Sequence, residues 1–344
     1  MKKTAIILLF LVNLTSVIAQ HDISSAKMAE LDFYLNYRWN EKSSQKPDSS
    51  VYRSTLIKRP AIHGVAYLNR SYDASQANVP LQAYLAGISG WDPVDSIIRF
   101  IDVARTGMFI EGTVANSGDS IQYDFTFAGP GGKGIFVGRD ILIFNNHRDK
   151  FAWLSYMKSP ESGVYDQIWL DTMVRAEPVS NIVEIPNEPF RYNKFSKAIV
   201  DSLAILNKLN MHSWRQVDDR SKAPTTLLRS DKIMQDLGII SRSYRVGTEG
   251  KEQPHFVGFS AWDPYNKQIK FLSFSQEGVM VRGSITSSGH EIVYTYEISA
   301  HGNKSKVKGK DTMTFANDKE FVWRFYKMKD EYWEQYGELI MRRN

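Results

Sequence analysis

The sequence predicts an all-β chain with a few short helices, built from two tandem antiparallel β-barrels. Three observations predict it. One long segment occurs twice at a nearly fixed offset, apolar residues inside each copy alternate with period two, and turn residues punctuate both copies at hairpin spacing.

Taken in chain order, the first element is a leader. Lys2 and Lys3 precede an apolar run from Ala5 to Val12, and small residues follow up to Ala19. That order is the signature of a secretory signal peptide, and the run is too short for a bilayer, which takes about 20 apolar residues. The expected division is a leader over 1–19, a first barrel over 20–178, a linker over 179–192 and a second barrel over 193–344. The mature protein is expected to be exported, periplasmic or secreted, with no transmembrane helix. Cysteine is absent, so disulfides, thiolate nucleophiles and Cys metal sites are excluded. The formal charge of +5 is too slight to argue for nucleic acid.

The repeat defines the two halves. Gly87-Ile-Ser-Gly-Trp91-Asp92-Pro93 returns as Gly258-Phe-Ser-Ala-Trp262-Asp263-Pro264. Phe100 then meets Phe271, Gly112 meets Gly283, Tyr123 meets Tyr294, Asp140 meets Asp311 and Trp153 meets Trp323. Two long copies imply two duplicated domains rather than a solenoid. Pro178, Pro186 and Pro189 mark the boundary. Each copy is introduced by a helix, clearest over Asn193–Met211 with Phe195, Ile199, Leu203, Leu206 and Leu209 on one face, and weaker over Ser24–Leu35. Strands follow, such as Tyr123-x-Phe125-x-Phe127 and its counterpart Tyr294-x-Tyr296-x-Ile298. Consecutive strands without intervening helices favour a closed meander, which hides its edges.

The order of Trp39 on an early strand, Trp91-Asp92-Pro93 before a strand ending near Gly107, and Arg175 on the closing strand resembles the calycin, or lipocalin-like, barrels. It is most similar to uncharacterised bacterial lipocalin-like domains with a Trp-Asp-Pro hairpin. Trp214, Trp262-Asp263-Pro264 and Arg342 repeat the pattern. The resemblance implies that a basic residue of the last strand covers the early tryptophan as a cation–π lid, Arg175 over Trp39 and Arg342 over Trp214. It also implies a binding protein rather than an enzyme.

Candidate site residues come from strand parity. On Lys133–Phe144 the set Gly134, Phe136, Gly138, Asp140, Leu142, Phe144 is expected to face inward, placing Asp140 and its counterpart Asp311 on the inner walls. On another strand Ala66, Leu68, Arg70, Tyr72 and their counterparts Gly238, Ile240, Arg242, Tyr244 form a similar inward set. Buried charges need partners, so an Arg–Asp structural pair is one reading. The sharper one is a ligand site made of Arg70, Tyr72 and Asp140 in one barrel and Arg242, Tyr244 and Asp311 in the other. The opposite parity of the first barrel's strand presents Ile135, Val137, Ile141 and Ile143, where the second barrel has lysines and threonines. This apolar face is expected to be covered by the other barrel, a helix or a second chain. Asp92 before Pro93 reads as a turn former and Trp91 as a core plug.

No nucleophile elbow or phosphate loop is present, and the seven histidines are scattered at non-equivalent positions. No cofactor, metal site or catalytic residue is therefore assigned. The leading function is an exported, non-enzymatic binding protein with one cavity per barrel for a small apolar or amphipathic molecule. The alternative is a scaffold of the cell envelope with filled barrels and the apolar face of the first as its working surface. An enzyme using Asp140 and Asp311 as general acid or base comes third.

Overall fold

The computed structural model describes residues 23–35, 37–41, 54–62, 64–73, 82–178, 201–209, 212–217, 225–233, 237–247, 249–288 and 290–344. The leader and the linker lie outside the described residues.

The first barrel consists of β1 (Tyr37–Glu41), β2 (Ser54–Ile62), β3 (Ala66–Asp73), β4 (Gln82–Asp92), β5 (Ile97–Ala104), β6 (Phe109–Ser117), β7 (Ser120–Ala128), β8 (Ile135–Phe144), β9 (Lys150–Lys158) and β10 (Tyr165–Pro178). The second runs through β11 (Ser213–Gln216), β12 (Thr225–Ile233), β13 (Gly238–Val246), β14 (Glu252–Asp263), β15 (Gln268–Ser275), β16 (Met280–Ser288), β17 (Glu291–Ser299), β18 (Val307–Asn317), β19 (Glu320–Lys329) and β20 (Tyr332–Arg343). Each set is an antiparallel meander closed by pairing its first strand with its last. Two tandem antiparallel barrels are thus what the duplicated period-two pattern encodes.

Each barrel is plugged at one end by the segment that precedes it. Residues 23–29 form a short helix, α1, followed by turns, and its Met28, Leu31, Tyr34 and Leu35 are buried against Trp39, Phe144 and Phe151. The Trp39 indole donates to the Tyr34 carbonyl at 2.9 Å, so the plug's backbone satisfies the one polar atom of that ring. In the second barrel, residues 201–208 are helical, and Leu203, Leu206 and Leu209 pack with Trp214, Phe315 and Phe321. Residues 193–200 and 210–211 of the expected helix lie outside the described residues.

The cation–π lid is corrected on both sides. The Arg175 guanidinium lies 4.8 Å over Tyr37, while Trp39 is enclosed by Tyr34, Phe144 and Phe151. Opposite Trp214 the ladder places Arg343, not Arg342; Arg342 sits beside Arg215 and bonds Glu320 at 2.7 Å. A one-residue slip in the alignment of the closing strands moves a side chain to the other face of the sheet.

The barrels pack side by side through the outer faces of β4 and β5 against β14 and β15. Ala86, Ile88, Ile101 and Val103 share a buried cluster with Val257, Phe259, Leu272 and Phe274. Their turns engage reciprocally. The β4–β5 turn of the first barrel meets Ser299 and Lys306 at the β17–β18 turn. The β14–β15 turn meets the β7–β8 turn, where a Cβ on Gly132 would lie 2.4 Å from the Pro264 carbonyl. Equivalent pieces thus swap roles, so the barrels are related as the subunits of an isologous dimer.

Of the three covers expected for the apolar β8 face, this packing removes the other barrel and a described helix and leaves a second chain. Ile135 and Ile143 are nearly half exposed and Val137 is 36% exposed, with Ile141 half-buried. The second barrel docks on β4 and β5 instead, and no described helix covers β8.

Candidate functional site

Inner-wall positions follow from the ladder and the buried clusters. In β8, Phe136, Gly138, Asp140, Leu142 and Phe144 face inward, as the parity predicts: a Cβ on Gly138 would lie 2.4 Å from the inward Phe125 ring. In β3 the expectation is reversed. Tyr67, Asn69 and Ser71 face the interior, whereas Ala66 and Tyr72 pack outside, Tyr72 against Ile57. Arg70 shares that outer parity. Arg242 is on the outer face too, paired with Asp231 at 3.1 Å, and Tyr244 lies under the Arg229 guanidinium that holds Glu252. The apolar parity of β3 faces outward because the neighbouring barrel, not the interior, covers Ala66. Of the six predicted site residues, only Asp140 and Asp311 line an interior, and they lie in different barrels.

The first barrel brings a different set together. Lys58 on β2 donates to the Asn69 Oδ1 at 3.0 Å, Asn69 Nδ2 donates to Asp102 Oδ1 at 3.0 Å, and the Ser89 hydroxyl donates to Asn69 Oδ1 at 3.2 Å. Gly87 makes room for Asp102, since a Cβ there would lie 2.0 Å from its carboxylate. Lys58 Nζ also lies 5.5 Å from the Tyr34 ring centroid and 5.4 Å from that of Tyr123. Asp140 lies on the same inner wall near Tyr34 and Tyr123, with Ser155 and Trp153 as its polar neighbours.

Desolvation dominates the electrostatics here. It pushes Asp102 up to about 6 against the opposing pull of Lys58 and Asn69, and Asp140 up to about 6 against Ser155 and Trp153. The same effect lowers Lys58 to about 8, with Asp102 acting in the other direction. Tyr34 and Tyr123 are driven well above the ordinary phenol range by burial. Lys58 and Asp140 are half-buried rather than sealed.

The second barrel carries the same scaffold without the cluster. At the positions of Lys58, Asn69 and Asp102 it has Ser230, Ser241 and Ser273, with Ser230 and Ser241 bonded at 2.9 Å. Phe125 becomes Tyr296, Ser155 becomes Phe325 and Asp171 becomes Leu339. Tyr296 donates to Asp311 at 2.5 Å and Trp323 donates at 3.1 Å, and the carboxyl is 8% exposed. Burial raises it to about 7. Asp311 is therefore a satisfied internal carboxyl, whereas Asp140 lacks the tyrosine because Phe125 stands there.

Sequence reasoning missed Lys58, Asn69 and Asp102 because it searched the copies for identity. The signal lay in their differences: charged or amide residues in one copy facing serines in the other.

Asp92 and Asp263 cap their turns as expected, accepting from Val94 and Asp95 and from Tyr265 and Asn266. Asp92 does more. It is fully buried, binds Arg99 at 2.6 Å and Lys306 at 3.3 Å, and accepts from the Ser299 hydroxyl.

No family model matches the chain, and no curated protein matches it. Among solved structures it is similar to a protein of unknown function from the DUF3598 family of Nostoc punctiforme, at 11% identity over 92% of this chain and 98% of that one, TM-score 0.22. It is also similar to a mutant of transferrin binding protein B from Haemophilus parasuis, at 7% identity over 90% and 95%, TM-score 0.18. A porin-like protein from Bacteroides uniformis follows at 9% identity over 90% and 96%, TM-score 0.16. Likenesses this weak carry no function across.

Proposed function

We propose that this chain is an exported binding protein that holds a small amphipathic molecule inside its first barrel. The observation that carries the reading is the asymmetry of the duplicated interiors. Lys58, Asn69 and Asp102 sit with Asp140 in one barrel, while the other presents serines and an aspartate already satisfied by Tyr296 and Trp323. Burying such groups costs stability unless they are paired, and Lys58 meets a single side-chain acceptor, Asn69 Oδ1, on the inner wall. Natural folds retain locally unfavourable arrangements mainly where function requires them. Apolar walls from Leu56, Phe100, Phe125 and Trp153 around a few polar groups match the usual composition of a small-molecule site. On this reading the second barrel is structural, a narrower assignment than one cavity per barrel.

The test is titration of the mature protein with N-phenyl-1-naphthylamine, a neutral apolar fluorophore, followed by displacement with decanol. Saturable binding that Ser155→Phe abolishes and Phe325→Ser leaves intact supports the reading. Absence of saturable binding refutes it. The scaffold alternative is favoured by one observation, the exposed apolar residues Ile135, Ile143, Ile168 and Leu170 of the first barrel.

A further inference from the structure

We propose that the Lys58 amine captures a neutral apolar aldehyde or ketone inside the first barrel, forming an imine. The inference rests on the reading that this barrel binds small molecules and adds the chemistry of the head group.

Charge narrows the ligand class. Lys58 Nζ has three donor positions, of which one is used, on Asn69 Oδ1 at 3.0 Å. No carboxylate among the described residues lies within ion-pair distance of it, and two aromatic faces, Tyr34 and Tyr123, flank it. Two of its three donor positions therefore have no side-chain acceptor among the described residues. An anionic head placed there would meet Asp102, held beside Asn69, and Asp140 on the same inner wall. A cationic head would meet Lys58 itself, and an alkane would leave its donors unmet. A carbonyl oxygen supplies an acceptor without adding charge.

The surroundings suit the covalent step as well as the contact. A lysine desolvated among apolar and aromatic walls holds its proton weakly, and burial lowers Lys58 to about 8, so free amine is available near neutrality. The amine lone pair attacks the carbonyl carbon, forming the C–N bond while the carbonyl π pair moves to oxygen. Asp102, raised only to about 6, is a carboxylate at that pH and takes the proton that the attacking nitrogen releases, while solvent protonates the oxygen. The resulting carbinolamine is protonated on oxygen by solvent and loses that oxygen as water, and the iminium nitrogen then returns one proton to solvent to leave the imine. The sum is amine plus carbonyl giving imine plus water, with no oxidant or reductant. The second barrel offers an internal control in the fold itself: Ser230 occupies the equivalent position and has no amine.

The experiment incubates mature protein with sub-stoichiometric decanal at a pH near 8, reduces with sodium cyanoborohydride and locates the decyl adduct by peptide mass spectrometry. The expected result is an adduct concentrated on Lys58, lost in Lys58→Met, and suppressed in wild type by excess decanol. A cooperative urea unfolding transition of Lys58→Met, followed by tryptophan fluorescence and close to that of the unaltered protein, reports that the variant is folded. If the fluorophore and decanol bind but Lys58 is no more labelled than surface lysines, imine capture is overturned and the binding reading stands. If neither binds and Lys58 is unlabelled, both are overturned.

Discussion

Asp92 ties the two barrels together, and its charge gives the strongest quantitative prediction. Its carboxylate is fully buried, held by Arg99 at 2.6 Å and Lys306 at 3.3 Å, and accepts from Ser299 of the second barrel. Desolvation opposes ionisation, but the hydrogen bonds from Arg99, Ser299 and Asp95 and the charge of Lys306 outweigh it, lowering the pKa from 3.8 to about 2. A tenfold displacement in proton affinity corresponds to about 1.4 kcal/mol, so the ionised group contributes about 2 kcal/mol. Because the folded pKa is depressed, that contribution is full above the unfolded value and fades as pH falls through the folded one. Asp92→Asn keeps an acceptor for Val94 and Ser299 while removing the charge. In urea denaturation followed by tryptophan fluorescence, the variant should be less stable by about 2 kcal/mol near neutrality, with the gap nearly closed at about pH 2. A gap that stays constant with pH would refute the electrostatic account, and no gap at all would show that the ion cluster does not couple the barrels.

The interior carboxyls of the first barrel titrate in the opposite sense. Asp140 is raised to about 6, so the cost of ionising it is absent below the ordinary carboxylate range and grows as pH rises through about 6. Asp140→Asn should therefore gain stability on the order of 3 kcal/mol at alkaline pH and little in acid, measured by the same denaturation. Phe125→Tyr should import the donor that Tyr296 gives Asp311, and the account expects weaker fluorophore binding together with a higher Tm. Trp39→Ala removes the fully buried ring on which the plug seats, and should cost about 3–5 kcal/mol by calorimetry. Ile143→Glu, on the exposed β8 face, should leave stability within about 0.5 kcal/mol. A dimer in light scattering that this variant dissolves would instead support the scaffold reading.

The fold was legible because both copies repeat the same alternation through Tyr123-x-Phe125 and Tyr294-x-Tyr296, and because closure follows from a meander with matching first and last strands. The inward parity of β8 was legible for the same reason: Gly138 and Gly309 share a face with Asp140 and Asp311. The parity of β3 was not. Its two faces are both buried, one against polar partners inside and one against the second barrel, so Ala66 and Leu68 looked like core while Asn69 and Ser71 looked like surface. Alternation reports which face is drier, not which face points into the barrel. The same blind spot hid the barrel interface, since Ala86, Ile88, Ile101 and Val103 carry no mark of what covers them. Lys58 escaped notice because it stands next to Arg59, a basic pair that reads as solvated surface, and its partner residue, Asn69, follows 11 positions later. Only the ladder joins them.

Ligand stoichiometry tests the central claim most directly. Isothermal titration of the mature protein with N-phenyl-1-naphthylamine should give one site per chain, removed when Ser155→Phe brings the second barrel's aromatic into the first. Two equal sites, or a single site that survives Ser155→Phe, would contradict the assignment of the binding interior to the first barrel.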